Sequence, residues 1–187
     1  MSAGSPPVLH VTALEGQRGE RTLFRGLELT LQPGEIVWLR GRNGRGKTTL
    51  LRLLAGLATP AAGEIRIAGR RVRGDGSAVR ESLLYIGHAN ALKDDLAASE
   101  ALSFLGALHG RRPAPEAVAQ ALQRLGVASR ARAPVRTLSQ GQRRRVALAR
   151  LALPGPPPLW LLDEPFDALD DQGIETLNAL LAEHARR

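Results

Sequence analysis

The residues whose types and spacing most plainly suit chemistry run from Gly41 to Thr49. Gly41-Arg42-Asn43-Gly44-Arg45-Gly46-Lys47-Thr48-Thr49 places four residues between two glycines and follows them with Lys-Thr, the spacing of a phosphate-binding loop. Gly44 and Gly46 let the backbone curl so that successive N–H groups point at phosphate oxygens, and a helix starting there adds a favourable dipole. Lys47 would reach the β- and γ-phosphates, and the Thr48 hydroxyl would ligate Mg2+. A second pair, Asp163-Glu164, closes the apolar run Leu159-Trp160-Leu161-Leu162. In a phosphate-loop protein such a run delivers its first acid, Asp163, to the Mg2+ shell, which leaves Glu164 to polarise an attacking water as general base. Between them lies Leu138-Ser139-Gln140-Gly141-Gln142, ahead of a helical period from Arg143 to Leu153. Ser139 suits a helix cap, and its hydroxyl with the N–H groups near Gly141 makes a second anion-binding helix start; by itself this is a capped helix.

These groups need elements to hold them. Glu35-Ile36-Val37-Trp38-Leu39 is apolar and β-prone and reads as a buried strand entering the loop. Leu50, Leu51, Leu53, Leu54 and Leu57 give the apolar face of the helix that leaves it. Upstream, Val8 to Leu14 and Leu23 to Leu31 read as strands, with Gly16 to Glu20 as a polar turn and Pro33-Gly34 as the next turn. Glu64 to Ala68 reads as a half-exposed strand, Gly74-Asp75-Gly76-Ser77 as a loop, and Ser82 to Ile86 as a short strand ending at Gly87-His88. Helical period then takes over. Leu102, Leu105 and Leu108 suit one helix, ended by Gly110 and Pro113. Pro115 to Leu125 suits a second, with proline at its start and Gly126 just past its end. The last helix is expected from Ile174 to about His184.

Composition narrows the classes. At 187 residues the chain supports one substantial core, and no apolar run is long enough to span a bilayer. The N-terminus lacks the basic and apolar regions of a secretory signal. No cysteine is present, which excludes disulfides and thiolate metal sites. The formal charge of +8 comes from arginines spread along the whole chain, with only 3% aromatic residues to stack on bases, so no direct nucleic-acid partner is expected.

The order phosphate loop, helical insertion, Leu-Ser-Gln-Gly-Gln, Leu-Leu-Asp-Glu-Pro, then Ala168-Leu169-Asp170 resembles that of the ATP-binding-cassette ATPases. The resemblance covers nearly the whole chain. It implies an α/β phosphate-loop NTPase core (1–88 and 138–187) with an antiparallel β subdomain, and an inserted helical subdomain at 89–137. It also implies a head-to-tail dimer of two copies, with ATP trapped between the phosphate loop of one and Ser139, Gly141 and Gln142 of the other, and Asp170 at the interface. Integral membrane subunits would dock on the helical subdomain, placing the chain on the cytoplasmic face of a bacterial inner membrane.

Departures refine the resemblance. The loop glutamine usual before the helical subdomain is absent, and His88 occupies its place, where it could bond the attacking water or link nucleotide state to the helices. No aromatic residue stands where the family stacks adenine; Arg18 is near that position. With Arg21 to Leu27 and Arg143 to Leu151, the chain is similar to the ATP-binding subunits of haem exporters in c-type cytochrome maturation. Haem-handling proteins are therefore expected partners, with direct haem ligation by His88, His10 or His109 as an alternative. The chain ends at Arg187, before the strand and switch histidine of that family, which implies weaker hydrolysis and reduced stability than an extended chain would have. A soluble cassette ATPase acting on ribosomes or DNA, and an unrelated phosphate-loop kinase, are the competing readings.

Overall fold

The computed structural model describes residues 6–72, 79, 81–110 and 112–187. The loop expected at Gly74–Ser77 lies outside them.

Strand β1 (Leu9–Arg18) and strand β2 (Arg21–Leu31) form an antiparallel hairpin. The polar turn is shorter than Gly16 to Glu20. Gly16, Gln17 and Arg18 pair with Phe24, Thr22 and Arg21, which leaves Gly19-Glu20 to reverse the chain. The loose alternation in β1 has a cause. Leu9 and Val11 point into the core, a register shift follows, and Ala13 sits at φ 46, so Leu14 returns to the same face. The Glu28 carboxylate accepts the displaced Ala13 N–H at 2.6 Å. Strand β3 (Ala62–Ile67) pairs with β1, and the two-residue β4 (Arg70–Arg71) returns against it, giving the antiparallel order β2-β1-β3-β4. Strands β5 (Leu83–Ile86) and β6 (Leu159–Leu162) form a separate two-stranded sheet.

The chain divides into two compact units. The first comprises Met1–Tyr85, Pro157–Asp163 and Ala185–Arg187. Its core gathers Leu9, Val11 and Leu14 of β1, Ile65 and Ile67 of β3, Leu159 and Leu161 of β6, and the leucines of helix α1 (Lys47–Leu54). α1 stops at Leu54 because Gly56, at φ 68, turns the chain, and Leu57 is exposed rather than on the buried face. Glu35 to Leu39 is not a buried strand. It lies outside both sheets, with Ile36, Val37 and Trp38 exposed by 56%, 47% and 56%. Its β propensity is real, but a strand exists only where a neighbour completes its ladder.

The second unit comprises Ile86–Pro156 and Glu164–His184. It holds α2 (Ala98–Leu108), α3 (Pro115–Arg124), α4 (Gln140–Leu148) and most of α5 (Asp171–Ala185). Leu102 and Leu105 of α2 are buried, whereas Leu108 is exposed in the last turn before Gly110, at φ 72. Pro115 opens α3, and Gly126, at φ 69, follows its cap as expected. The run from Arg143 is α-helical only to Leu148 and tightens into a 3-10 turn at Ala149–Ala152. α5 starts at Asp171, three residues ahead of expectation, because Asp170 caps it: its carboxylate accepts from Gly173 N–H at 2.8 Å. No helix among the described residues is long and apolar enough to cross a membrane.

Candidate nucleotide site

In the first unit, Arg42 to Arg45 forms a turn in which Arg45 N–H donates to the Arg42 carbonyl at 3.4 Å and Gly44 takes φ 78. Gly46, at φ 93, is the residue from which α1 starts, and Leu50 N–H makes the first helical bond to its carbonyl at 2.8 Å. An L side chain would be strained at both glycines. Gly41, Arg42, Asn43, Gly44 and Arg45 are exposed, so the loop faces outward. Lys47 folds back over it, its Nζ donating to the Gly41 carbonyl at 2.6 Å. Thr49 follows in the first turn of α1.

One contact joins two motifs far apart in sequence. Thr48 Oγ1 donates to Asp163 Oδ1 at 3.2 Å. Asp163 is buried at the end of β6, so strand and helix together hold these oxygens side by side. Adjacent ligands of a hard octahedral cation at about 2.0–2.1 Å lie about 2.9 Å apart, close to the spacing found, so the pair fits such an ion. Burial first, and then the negative charge of Asp163, push the Tyr85 hydroxyl above its usual range, with Arg52 opposing.

In the second unit, Ser139 and Gln142 cap α4 reciprocally. Gln142 N–H donates to Ser139 Oγ at 3.2 Å, and Ser139 N–H donates to Gln142 Oε1 at 3.0 Å. Gly141 passes so near the Ala168 carbonyl that a Cβ would come within 2.9 Å of its oxygen. Glu164, immediately after Asp163, sits at φ 48 and starts a turn in which Asp167 N–H bonds back to its carbonyl at 3.2 Å. His88 Nδ1 lies 3.2 Å from Glu164 Oε2 and 3.8 Å from Asp167 Oδ2. Asp170 is held below the ordinary carboxylate range by the Gly173 N–H and then by Arg145, which also donates to the Leu125 carbonyl.

Sequence reasoning missed the residue that organises this part. Arg144 is only 3% exposed. One of its terminal nitrogens donates to the Gly87 carbonyl at 2.9 Å and Asn90 Oδ1 at 3.2 Å, and the other to the Glu164 carbonyl at 2.7 Å. It thus ties the backbone on either side of His88 to the backbone of Glu164. The signal was its place on the stripe Arg144, Ala147, Leu148, Leu151, which reads as one buried helix face. Asp167 was also missed, although Glu164-Pro165-Phe166-Asp167 has the proline of a tight turn that returns its fourth residue towards its first. The other histidines with assigned contacts serve local structure: His10 bonds Thr30 Oγ1, and His109 Nε2 accepts from Arg150.

Residues 24–167 match the ABC transporter family. The cytochrome c biogenesis ATP-binding export protein CcmA of Pseudomonas savastanoi pv. phaseolicola is 50% identical over 183 residues, covering 98% of this chain and 85% of that protein. The corresponding CcmA 2 of Cupriavidus metallidurans is 47% identical over 96% of this chain and 85% of its own length. Among solved structures, an ATP-binding subunit of an ABC transporter superposes with a TM-score of 0.86 at 27% identity, covering 96% of this chain and 75% of that one. A dimeric ATP-binding cassette in a post-hydrolysis state with ADP and phosphate superposes with a TM-score of 0.81 at 25% identity, covering 95% and 84%. The match over residues 24–167 and the relatives about half identical over nearly the whole chain show that this chain, with its phosphate loop and serine-capped helix, belongs to the ABC transporter family as an ATP-hydrolysing subunit.

Proposed function

We propose that this chain hydrolyses Mg-ATP to drive a membrane export step in the biogenesis of c-type cytochromes, moving haem or releasing a haem-loaded chaperone. The observation that carries the catalytic part is the Thr48–Asp163 contact at 3.2 Å, which joins the phosphate loop to the acidic strand end. The loop amides and Lys47 hold the phosphates. Thr48 and Asp163 hold Mg2+, which when bound offsets phosphate charge. Glu164 takes the proton of the attacking water, and His88, 3.2 Å from its carboxylate, orients it. Ser139, Gly141 and Gln142 of a second copy would close over the nucleotide, with Asp170 at the interface. The export reading rests on the relatives that are about half identical over nearly the whole chain. Membrane subunits would dock on the helices at 89–137, placing the chain peripherally on the cytoplasmic face.

The test uses Glu164→Gln, which removes the base and keeps the shape. Turnover should fall by about a hundredfold or more, while ATP is still bound and the dimer persists. That variant, captured from membranes in mild detergent with Mg-ATP, should bring down integral membrane subunits, with Soret absorption in the eluate. Membrane subunits without haem would discard the haem assignment, and ribosomes or DNA would discard the export reading.

A further inference from the structure

We propose that His88, Glu164 and Asp167 form a binding site for a borderline divalent transition ion of the Zn2+ type, and that filling it takes Glu164 out of the reaction. The effect on turnover rests on the reading of Glu164 as general base; the binding does not.

The geometry comes first. One donor atom from each residue lies within 4.8 Å of the other two, with the imidazole Nδ1 at 3.2 Å and 3.8 Å from the carboxylate oxygens. Ligands about 2.0–2.1 Å from a tetrahedral Zn2+ stand about 3.3–3.4 Å apart. Small side-chain adjustments therefore bring all three onto one ion. The side chains are exposed, which leaves a fourth position to water. The donor set also discriminates. Mg2+ favours an all-oxygen shell and keeps its water, whereas imidazole nitrogen beside carboxylate suits Zn2+, Co2+ or Ni2+.

The backbone carrying the ligands is fixed independently of them. The buried Arg144 guanidinium bonds to Gly87 and Asn90 on either side of His88 and to the Glu164 carbonyl. The bond from Asp167 N–H to that same carbonyl returns the third ligand to the first two. Two segments from distant parts of the sequence are thus locked with their donors converging. An ion there engages the carboxylate that must otherwise accept a proton from water, so bound metal and active base exclude each other.

The test is a Co2+ titration of the whole chain in excess Mg2+, followed by visible absorption. Saturable bands at one equivalent are expected, and Zn2+ should displace them. His88→Ala and Asp167→Ala should each weaken binding by at least the ten- to hundredfold (roughly) typical of losing even an outer supporting residue of a metal site. At a buffered free Zn2+ concentration the unaltered chain should lose ATPase activity. Asp167→Ala, which removes no residue assigned to hydrolysis, should keep its turnover and resist Zn2+. Co2+ bands indifferent to both substitutions would overturn the site. Equal Zn2+ inhibition with and without Asp167 would overturn its effect on turnover. If Glu164→Gln retained turnover while the unaltered chain still bound Co2+ through His88 and Asp167, the site would stand and the general-base reading would fall.

Discussion

Arg144 shows how much can turn on one side chain. Its hydrogen bonds to carbonyls come from a charged group with very little access to water, which makes them charge-assisted. Arg144→Ala should therefore destabilise the fold by at least about 2 kcal/mol, since each hydrogen bond from a charged group contributes about 1.5–3 kcal/mol. Denaturant melts measure this, and Arg144→Lys should recover only part, because one ammonium cannot reproduce a planar fork. The candidate chemistry-bearing residues stand in motifs whose spacing suggests their roles directly. Lys47, Thr48, Asp163, Glu164 and Ser139 are each marked by neighbours in sequence. Arg144 is marked only by what it packs against, and a run of three arginines hides which one turns inward.

At the scale of elements, α4 and α5 depend on close approaches at their first turns. Alanine is the better helix former than glycine by about 1 kcal/mol, so propensity alone favours Gly141→Ala. The added Cβ, however, would meet the Ala168 carbonyl oxygen at 2.9 Å, and that neighbour is backbone. The steric term should win, and the variant should melt at lower temperature than the parent. Asp170 gives a pH signature. Its carboxyl is held below the ordinary range by Gly173 N–H and Arg145, so the stability it adds is present above its unfolded pKa of about 3.9 and fades as pH falls through its lower folded value. Asp170→Asn keeps the cap but not the charge. Its deficit against the parent, read from urea midpoints, should be largest near neutrality and shrink below about pH 4. Element ends were legible at Pro115 and Gly126, whereas Gly56 ended α1 before the expected Leu57. They were misread where the deciding partner lies elsewhere. Ala13 shifts the phase of β1 through a carboxylate on the next strand, and Asp170 is four residues ahead of the first apolar position of α5.

For the whole molecule, the motif order carried the architecture further than periodicity did, because the phosphate loop and the acidic strand end must meet for either to act. What periodicity could not supply was the exposure of Ile36 to Trp38, since an apolar run reads as buried whether or not a neighbouring strand covers it. That stretch makes a natural optical probe. The chain has two tryptophans, and they differ: Trp38 is exposed three residues before Gly41, while Trp160 is partly buried within β6. Trp160→Phe leaves a single tryptophan, whose emission, excited at its red edge, should be red-shifted and strongly quenched by iodide. Anything that later covers the approach to the phosphate loop should blue-shift that emission and shield it, so one cuvette measurement follows the closing of this edge in real time.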